Sequence, residues 1–210
     1  GFAMSAVIDP GEVKVLERCM AVGGVAVFPS DTVYGVACDP GHREAHRLLC
    51  AMKQRDPDQP SAVMFFSLER ALESLPEIGP RTHQALSALL PGAVLALLPN
   101  PAARFPLACG PDTGTLGVRV PRLGPQTAAL EGMRWPILQT SANLHGGPEA
   151  SRVEEVPAAI REEADLVLDA GELPGLPSTV VDLRDYEFEG AWSVLREGAL
   201  SGPDVAAALG

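Results

Sequence analysis

The sequence predicts a mixed α/β fold of the α+β type, in which helices pack around a twisted mixed sheet. Short apolar runs rich in Val, Leu and Ala are interspersed with segments whose apolar residues recur every three or four positions, the patterns of buried strands and amphipathic helices. The two kinds of segment do not alternate strictly, which argues against a simple doubly wound sheet. With 210 residues, the chain can bury one sizeable core or two small ones, and the lack of a linker pattern near its middle predicts one domain.

The helices are predicted from capping residues that precede apolar stripes. Asp9-Pro10 has the pattern of an N-cap and first helical residue, and Gly23-Gly24 ends that helix. Ser67 similarly caps a short helix that ends at Leu75. The same reasoning predicts further helices at 41–52, 81–90, 126–130, 156–164 and from 203 onwards.

The strands are predicted from short apolar runs bounded by Pro, Gly or polar residues. These runs span 25–28, 33–38, 62–66, 93–98, 115–120, 137–139, 166–168, 178–183 and 191–195. Two prolines and two aspartates make 56–60 a loop, and the proline-rich segment 99–112 is expected to be irregular.

The composition excludes several classes of protein. The formal net charge is −11, which opposes non-specific binding to nucleic acid or to anionic membrane. No apolar run approaches the ~20 residues of a membrane span, and no signal-peptide pattern is seen. The four cysteines are scattered, as expected of reduced thiols in the cytoplasm. Residues 1–3 precede Met4 and are interpreted as a cloning scar.

The stretch Pro29-Ser30-Asp31-Thr32-Val33-Tyr34-Gly35 follows the first predicted strand. Proline ends the strand because it cannot donate to the ladder, and three small polar residues come next. Such a strand end can place hydrogen-bonding groups at the mouth of a pocket. Taken alone, the stretch fits a turn between two strands better.

Three basic residues lie at positions where their charge requires either a structural partner or a ligand. Lys53 and Arg55 follow a predicted helix and enter a loop, so they are either helix caps or a phosphate clamp. As loop-entry residues they are not expected in the core. Arg119 lies inside an otherwise apolar strand and needs an anionic partner, either a structural carboxylate or a ligand.

Other polar residues follow later strands. Ser141-Ala142-Asn143 precedes a Gly-Gly-Pro turn, so its side chains either stabilise the turn or bind a nucleotide. The sequence contains no P-loop or Rossmann glycine motif. His42 and His46 are spaced as helical neighbours, but no third ligand is evident, and no metal site is predicted.

Six motifs occur in one order along the chain. They are Pro-Ser-Asp-Thr-Val-Tyr-Gly, Lys-x-Arg, Val-Arg-Val-Pro, Ser-Ala-Asn, Ser-Thr-Val-Val-Asp and Leu-Arg-Glu-Gly. In this order they resemble the YrdC-like family, especially its members that make threonylcarbamoyl-AMP, from Asp9 to Leu200. The resemblance implies a single catalytic domain at 9–200 and a deep cavity lined by positive charge. The segment 201–210 after this domain is predicted from its own residues to form a short C-terminal helix.

The resemblance also implies a reaction. L-threonine, bicarbonate and ATP would condense to threonylcarbamoyl-AMP and pyrophosphate, with Mg²⁺ carried on ATP and not held in a protein cage. A partner transferase complex would then modify tRNA next to the anticodon. The alternative is an RNA-binding module of the same superfamily, which the negative charge disfavours. A hydrogenase-maturation carbamoyltransferase domain would be preceded by zinc-finger cysteine pairs, which are absent from the sequence.

The resemblance assigns site residues by motif. It implies that L-threonine is bound by Thr32, Arg119, Gln139 and Ser178. It implies that ATP is bound by Lys53, Arg55, Gln59, Thr115, Ser141, Asn143 and Arg196, of which Lys53 and Arg55 are also catalytic.

The sequence departs from the family pattern at a few positions. Asp56 and Ser61 alter the loop after Arg55, and Glu149 stands where a phosphate-contacting Ser is common. A carboxylate there is expected to repel phosphate. Asn143 lies in a predicted loop, so its replacement by alanine is expected to weaken nucleotide binding with little effect on folding.

Overall fold

The computed structural model describes residues 6–210, so residues 1–3, interpreted as a cloning scar, lie outside the described part of the chain. Within residues 6–210, nine strands form one mixed sheet. They are β1 (Ala26–Pro29), β2 (Tyr34–Cys38), β3 (Ala62–Met64), β4 (Val94–Pro99), β5 (Thr115–Arg119), β6 (Ile137–Ser141), β7 (Leu166–Val167), β8 (Thr179–Asp182) and β9 (Ser193–Arg196).

The strand order across the sheet is β7-β1-β2-β6-β3-β5-β4-β8-β9. The pairs β1–β7, β3–β5 and β4–β8 are parallel, and the remaining neighbours are antiparallel. The predicted mixed sheet is therefore confirmed.

Eight α-helices connect or cover the strands in the described range. They are α1 (Pro10–Ala21), α2 (Arg43–Lys53), α3 (Leu68–Ser74), α4 (Pro80–Leu89), α5 (Pro106–Cys109), α6 (Ala158–Glu163), α7 (Tyr186–Glu189) and α8 (Gly202–Leu209). Two 3₁₀ turns, Ala128–Gly132 and Val153–Glu155, complete the described elements. None of these helices is long and apolar enough to cross a bilayer.

The predicted caps are present. The Asp9 carboxylate accepts from the backbone N–H of Glu12 at 2.8 Å, and the Glu12 carboxylate accepts from that of Asp9 at 3.2 Å, which completes a capping box. The Ser67 hydroxyl accepts from the N–H of Arg70 and caps α3. The helix predicted at 126–130 is instead a 3₁₀ turn, and α5 and α7 were not predicted.

The alternation of side chains divides the sheet into two faces. One face presents Val27, Val36, Val63 and Val118 to an apolar core shared with the buried sides of α2, α4, α6 and α8. The opposite face carries Phe28, Ala37, Met64 and Ile137 against α1, through Val13, Leu16 and Met20.

The second face is only partly covered by α1. Further along the same face, residues of β3, β4, β5, β6, β8 and β9 line a cavity. Gly117 and Arg119 on β5 share one side of their strand, as do Gln139 and Ser141 on β6. The pleat of the sheet therefore determines which residues of each motif face the cavity.

Candidate functional site

The cavity has a volume of about 400 Å³, and residues from distant parts of the sequence line it. All but one of the residues assigned by motif lie in its walls: Thr32, Lys53, Arg55, Gln59, Arg119, Gln139, Ser141, Asn143, Ser178 and Arg196. The sheet thus brings together all six motifs. Four of these side chains are cations, and one lining residue, Glu149, is acidic.

Thr115 stands apart from the other assigned residues, because it does not line the cavity. It begins β5 on the same face as Arg119, but four residues of extended strand separate the two by roughly 13 Å. Its hydroxyl lies 3.4 Å from a carboxylate oxygen of Asp112. The assignment of Thr115 to ATP stays a prediction.

The hydroxyl of Thr32 is oriented by Ser30. Ser30 Oγ donates its single proton to the carbonyl of Val33 at 2.7 Å and accepts from the N–H of Thr32 at 3.1 Å. Thr32 Oγ1 lies 3.0 Å from Ser30 Oγ, so Thr32 must be the donor of that hydrogen bond. Its lone pairs remain free to accept from a ligand. The stretch is therefore a turn that also presents a polar group to a pocket.

Lys53 is buried, with 3% of its surface exposed, so the expectation that it would lie outside the core was wrong. Its ammonium donates to the Ser141 carbonyl and, at 3.1 Å, to Asn143 Oδ1. These acceptors belong to β6 and the loop after it, so Lys53 is not a simple cap of α2. Burial and, to a smaller extent, the Arg55 charge together lower the pKa of Lys53 to about 8, whereas the Glu149 charge opposes the decrease.

Arg55 is held by the loop that follows it. Its guanidinium donates to the hydroxyl of Ser61 at 2.7 Å and to the carbonyl of Pro60. Ser61 is one of the departures from the family pattern, and here it supplies a partner that an aliphatic side chain could not. Burial lowers the pKa of Arg55 from its usual value, but a guanidinium stays charged at neutral pH.

Asn143 is also buried, at 7% exposure. Its Oδ1 accepts from Ser141 Oγ at 2.6 Å as well as from Lys53, and its Nδ2 donates to the carbonyl of Gly147 at 2.7 Å. The side chain therefore closes the turn after β6 and holds the Lys53 ammonium. The expectation that Asn143 could be removed without affecting the fold does not fit these contacts.

Asn143→Ala is expected to lower the free energy of unfolding by about 1–3 kcal/mol, because it leaves buried partners unsatisfied. His145→Ala is the matched control, since His145 is exposed in the same loop. Urea denaturation of the two variants measures the difference. Equal stability of Asn143→Ala and the wild type would show that its hydrogen bonds contribute nothing net.

Arg119 forms a buried ion pair with Asp31. Its Nη2 lies 2.9 Å from Asp31 Oδ1 and also donates to the carbonyl of Gly92 at 2.8 Å, and its Nε donates to that of Val94. Asp31 also accepts from the N–H of Arg122 at 2.9 Å. The structural ion pair is thus present, and these bonds use Nε and Nη2. Nη1 has no hydrogen-bond partner among residues 6–210, and Arg119 lines the cavity.

Arg196 and Ser178 contact each other, although one is assigned to ATP and the other to threonine. Arg196 Nη2 and Nε donate to the Ser178 carbonyl at 2.7 and 3.3 Å, and Nη2 lies 3.3 Å from Ser178 Oγ. A guanidinium and a hydroxyl therefore meet at one wall of the cavity.

Some lining residues were not assigned from the sequence, among them Ser30, Gly117 and His145. A Cβ atom on Gly117 would lie 3.2 Å from Leu95 Cδ2 and would project from the floor of the cavity. An isolated glycine inside a strand pattern indicates such a close approach, so this signal was present in the sequence. His145 gave no comparable signal.

The two histidines considered as metal ligands have other partners. His42 Nδ1 accepts from the N–H of Ala45 and caps α2, and His46 Nε2 lies 3.4 Å from Cys50 Sγ. No group of three or more His, Cys, Asp or Glu side chains suited to a metal ion occurs in the described part of the chain.

Comparison with known proteins identifies the family. The family model described as Telomere recombination, which covers Sua5, YciO and YrdC, matches residues 18–198. A threonylcarbamoyl-AMP synthase of Stenotrophomonas maltophilia is 32% identical over 163 residues, which are 75% of this chain and 84% of that protein. One of Stutzerimonas stutzeri is 32% identical over 187 residues, 86% of this chain and 97% of that protein.

Solved structures share the fold. A variant of P. abyssi Sua5 superposes with a TM-score of 0.83 at 25% identity, over 95% of this chain and 60% of that chain. E. coli YciO superposes with a TM-score of 0.75 at 24% identity, over 93% of both chains. The chain therefore spans about 60% of the length of the Sua5 protein. With six motifs around one cavity and a family match over most of its length, the chain belongs to the Sua5/YciO/YrdC family.

Proposed function

We propose that this protein is a threonylcarbamoyl-AMP synthase, which condenses L-threonine, bicarbonate and ATP. The observation that carries the proposal is the cavity, which is lined by residues of all six motifs. The curated relatives named as threonylcarbamoyl-AMP synthases, which this chain covers over 84% and 97% of their length, support the same activity.

The reaction joins two anions. The threonine amine and bicarbonate give a carbamate with loss of water; a carbamate oxygen then attacks the α-phosphorus of ATP, and the bond to pyrophosphate breaks. No covalent enzyme intermediate is required. The protein contributes by holding the reactants together and by stabilising negative charge on phosphorus. Cations and neutral donors suit that task.

The amino-acid end of the cavity is assigned to Thr32, Arg119 and Ser178. Arg119 Nη1 is available for the threonine carboxylate. The lone pairs of Thr32 Oγ1 can accept from the threonine hydroxyl or amine, because the Thr32 proton is directed to Ser30. The Ser178 hydroxyl lies beside Arg196 on the same wall.

The nucleotide end is assigned to Lys53, Arg55 and Arg196. Lys53 offers a point charge, and the arginines offer forks that match phosphate oxygens. ATP would enter as its Mg²⁺ complex, since Mg²⁺ retains waters and binds phosphates readily. Glu149 lies in the same cavity, and its carboxylate would repel a phosphate placed beside it.

The product is a mixed anhydride, which transfers its threonylcarbamoyl group to a nucleophile. It would therefore be the substrate of a tRNA threonylcarbamoyl transferase, and we place both steps in the cytoplasm. The alternative of an RNA-binding module without synthase activity is not favoured, since the relatives are named as synthases. The net charge of −11 also opposes tight RNA binding.

The proposed function is tested by pyrophosphate release with each of the twenty amino acids, in bicarbonate buffer with ATP and Mg²⁺. Threonine is expected to exceed valine by a large factor, because a pocket built to hydrogen-bond a hydroxyl strongly rejects the analogue that lacks it. Serine should react more slowly than threonine. Equal rates with valine and threonine would contradict the assignment of Thr32 and Ser178.

The affinity for ATP is expected to fall as the pH rises through about 8. The pKa of Lys53 in the free site is about 8, and phosphate favours the charged ammonium, so binding above that pH must take up a proton. For one proton, the dissociation constant rises by at most about tenfold per pH unit. Calorimetry in two buffers of different ionisation enthalpy measures the proton uptake. Uptake that persists in Lys53→Met would assign the proton to another group.

A further inference from the structure

We propose that Thr179 is a positioning residue that couples the amino-acid half of the cavity to the nucleotide half. The proposal rests on the proposed function, which assigns Ser178 to threonine and Arg196 to ATP. Thr179 itself does not line the cavity and acts through these two neighbours.

The hydroxyl of Thr179 is fully buried and fully used. The residue has 0% exposure. Its Oγ1 donates to the carbonyl of Leu200 at 2.6 Å and accepts from the N–H groups of Gly198 and Leu200, each at 3.0 Å. One side chain at the start of β8 thus binds the backbone of the segment that follows β9.

The fit between these two segments is close. A Cβ atom on Gly198 would overlap the carbonyl oxygen of Pro177, and the N–H of Ala199 donates to the same carbonyl at 2.8 Å. Only glycine therefore permits the approach at position 198. The segment 198–200 is held against 177–179 by main-chain contact, and the Thr179 hydroxyl is the side chain that joins them.

This junction controls the contact between the two assigned ligand-binding residues. Arg196 lies two residues before the segment 198–200. Its Nε and Nη2 both donate to the carbonyl of Ser178, the residue that precedes Thr179. A ligand that orders Ser178 therefore also orders Arg196, and the reverse holds. Coupling between two ligands is reciprocal and typically amounts to 5–150-fold in affinity.

The variants for the test are Thr179→Val, which removes the hydroxyl but keeps the shape, and Thr179→Ser, which keeps the hydroxyl. Calorimetry measures threonine affinity with and without α,β-methylene-ATP and Mg²⁺. The wild type is expected to bind threonine about tenfold more tightly with the analogue present. Thr179→Val should reduce this factor to less than about twofold, and Thr179→Ser should restore most of it.

A second measurement does not depend on catalysis. Amide hydrogen exchange over 193–201 is expected to be faster in Thr179→Val, because the N–H groups of Gly198 and Leu200 lose their acceptor. In the wild type, threonine alone should slow exchange over the same residues, and this test needs no variant.

The outcomes separate the inference from the proposed function. Unchanged exchange in Thr179→Val, or wild-type coupling in that variant, would overturn the role of Thr179. No effect of threonine on exchange in a wild type that calorimetry shows to bind threonine would do the same. A wild type in which the ATP analogue tightens threonine binding but no pyrophosphate is released would refute the synthase activity and leave the coupling supported.

Discussion

Replacing Lys53 by methionine is expected to lower the rate of pyrophosphate release by at least about a hundredfold, while the melting temperature stays the same or rises. The loss of rate follows from the position of the ammonium in the cavity, held by Ser141 and Asn143. Removal of one preorganised donor from such a site typically costs a factor of roughly 10²–10³.

The stability change has the opposite sign. The pKa of Lys53 is about 8 in the folded chain, below its ordinary value of 10.5, so folding disfavours the protonated form. That penalty, on the order of 3 kcal/mol, is fully present below pH 8 and disappears as the pH rises towards 10.5. Methionine fills a similar volume without a charge, so the cost of burying an ammonium is absent from the variant, and this gain opposes the loss of the hydrogen bonds to Ser141 and Asn143.

Lys14→Met is the matched control, because Lys14 is the other lysine of the chain and is exposed on α1. Its rate and melting temperature should equal those of the wild type. The measurements are initial rate at saturating threonine and thermal unfolding at pH 7. A near-wild-type rate in Lys53→Met would contradict the role of Lys53 in binding phosphate. A large fall in melting temperature would show that Lys53 stabilises the fold.

Arg119→Ala is expected to destabilise the chain by about 3–5 kcal/mol, since it leaves the Asp31 carboxylate buried without its partner. Both residues are nearly inaccessible, at 3% and 6% side-chain exposure. The double variant Arg119→Met, Asp31→Asn should recover much of the loss, because it removes both charges and keeps an acceptor for the N–H of Arg122. Urea denaturation measures both effects.

The double variant also separates structure from binding. If Arg119 Nη1 holds the threonine carboxylate, the refolded double variant should bind threonine at least about a hundredfold more weakly, by analogy with other buried charged contacts. Arg122→Met is the control, because that side chain is exposed and Asp31 contacts only its backbone. Wild-type threonine affinity in the double variant would make Arg119 a purely structural residue.

Much of the fold could be predicted from the sequence, because the patterns that predict helices and strands are local. The Asp9 capping box, the Ser67 cap and the apolar strand runs each depend on residues a few positions apart. The order of the six motifs identified the family, and alternation along a strand determined which members share a face. The single domain at 9–200 and the role of each residue in catalysis stay predictions.

The tertiary structure decided how those local signals combine. Asp31 and Arg119 pair across 88 positions, and Glu187 of α7 accepts from the N–H of Thr82 at the start of α4 across 105 positions. No local pattern encodes such pairings, because burial and partner choice arise only when distant segments pack. For the same reason Lys53, at the end of a predicted helix, was interpreted as either a helix cap or a phosphate clamp outside the core. The end of α2 instead lies beside the end of β6, where the Lys53 ammonium is buried against the Ser141 carbonyl and Asn143. This burial lowers the pKa of Lys53, an effect that its position in the sequence does not reveal.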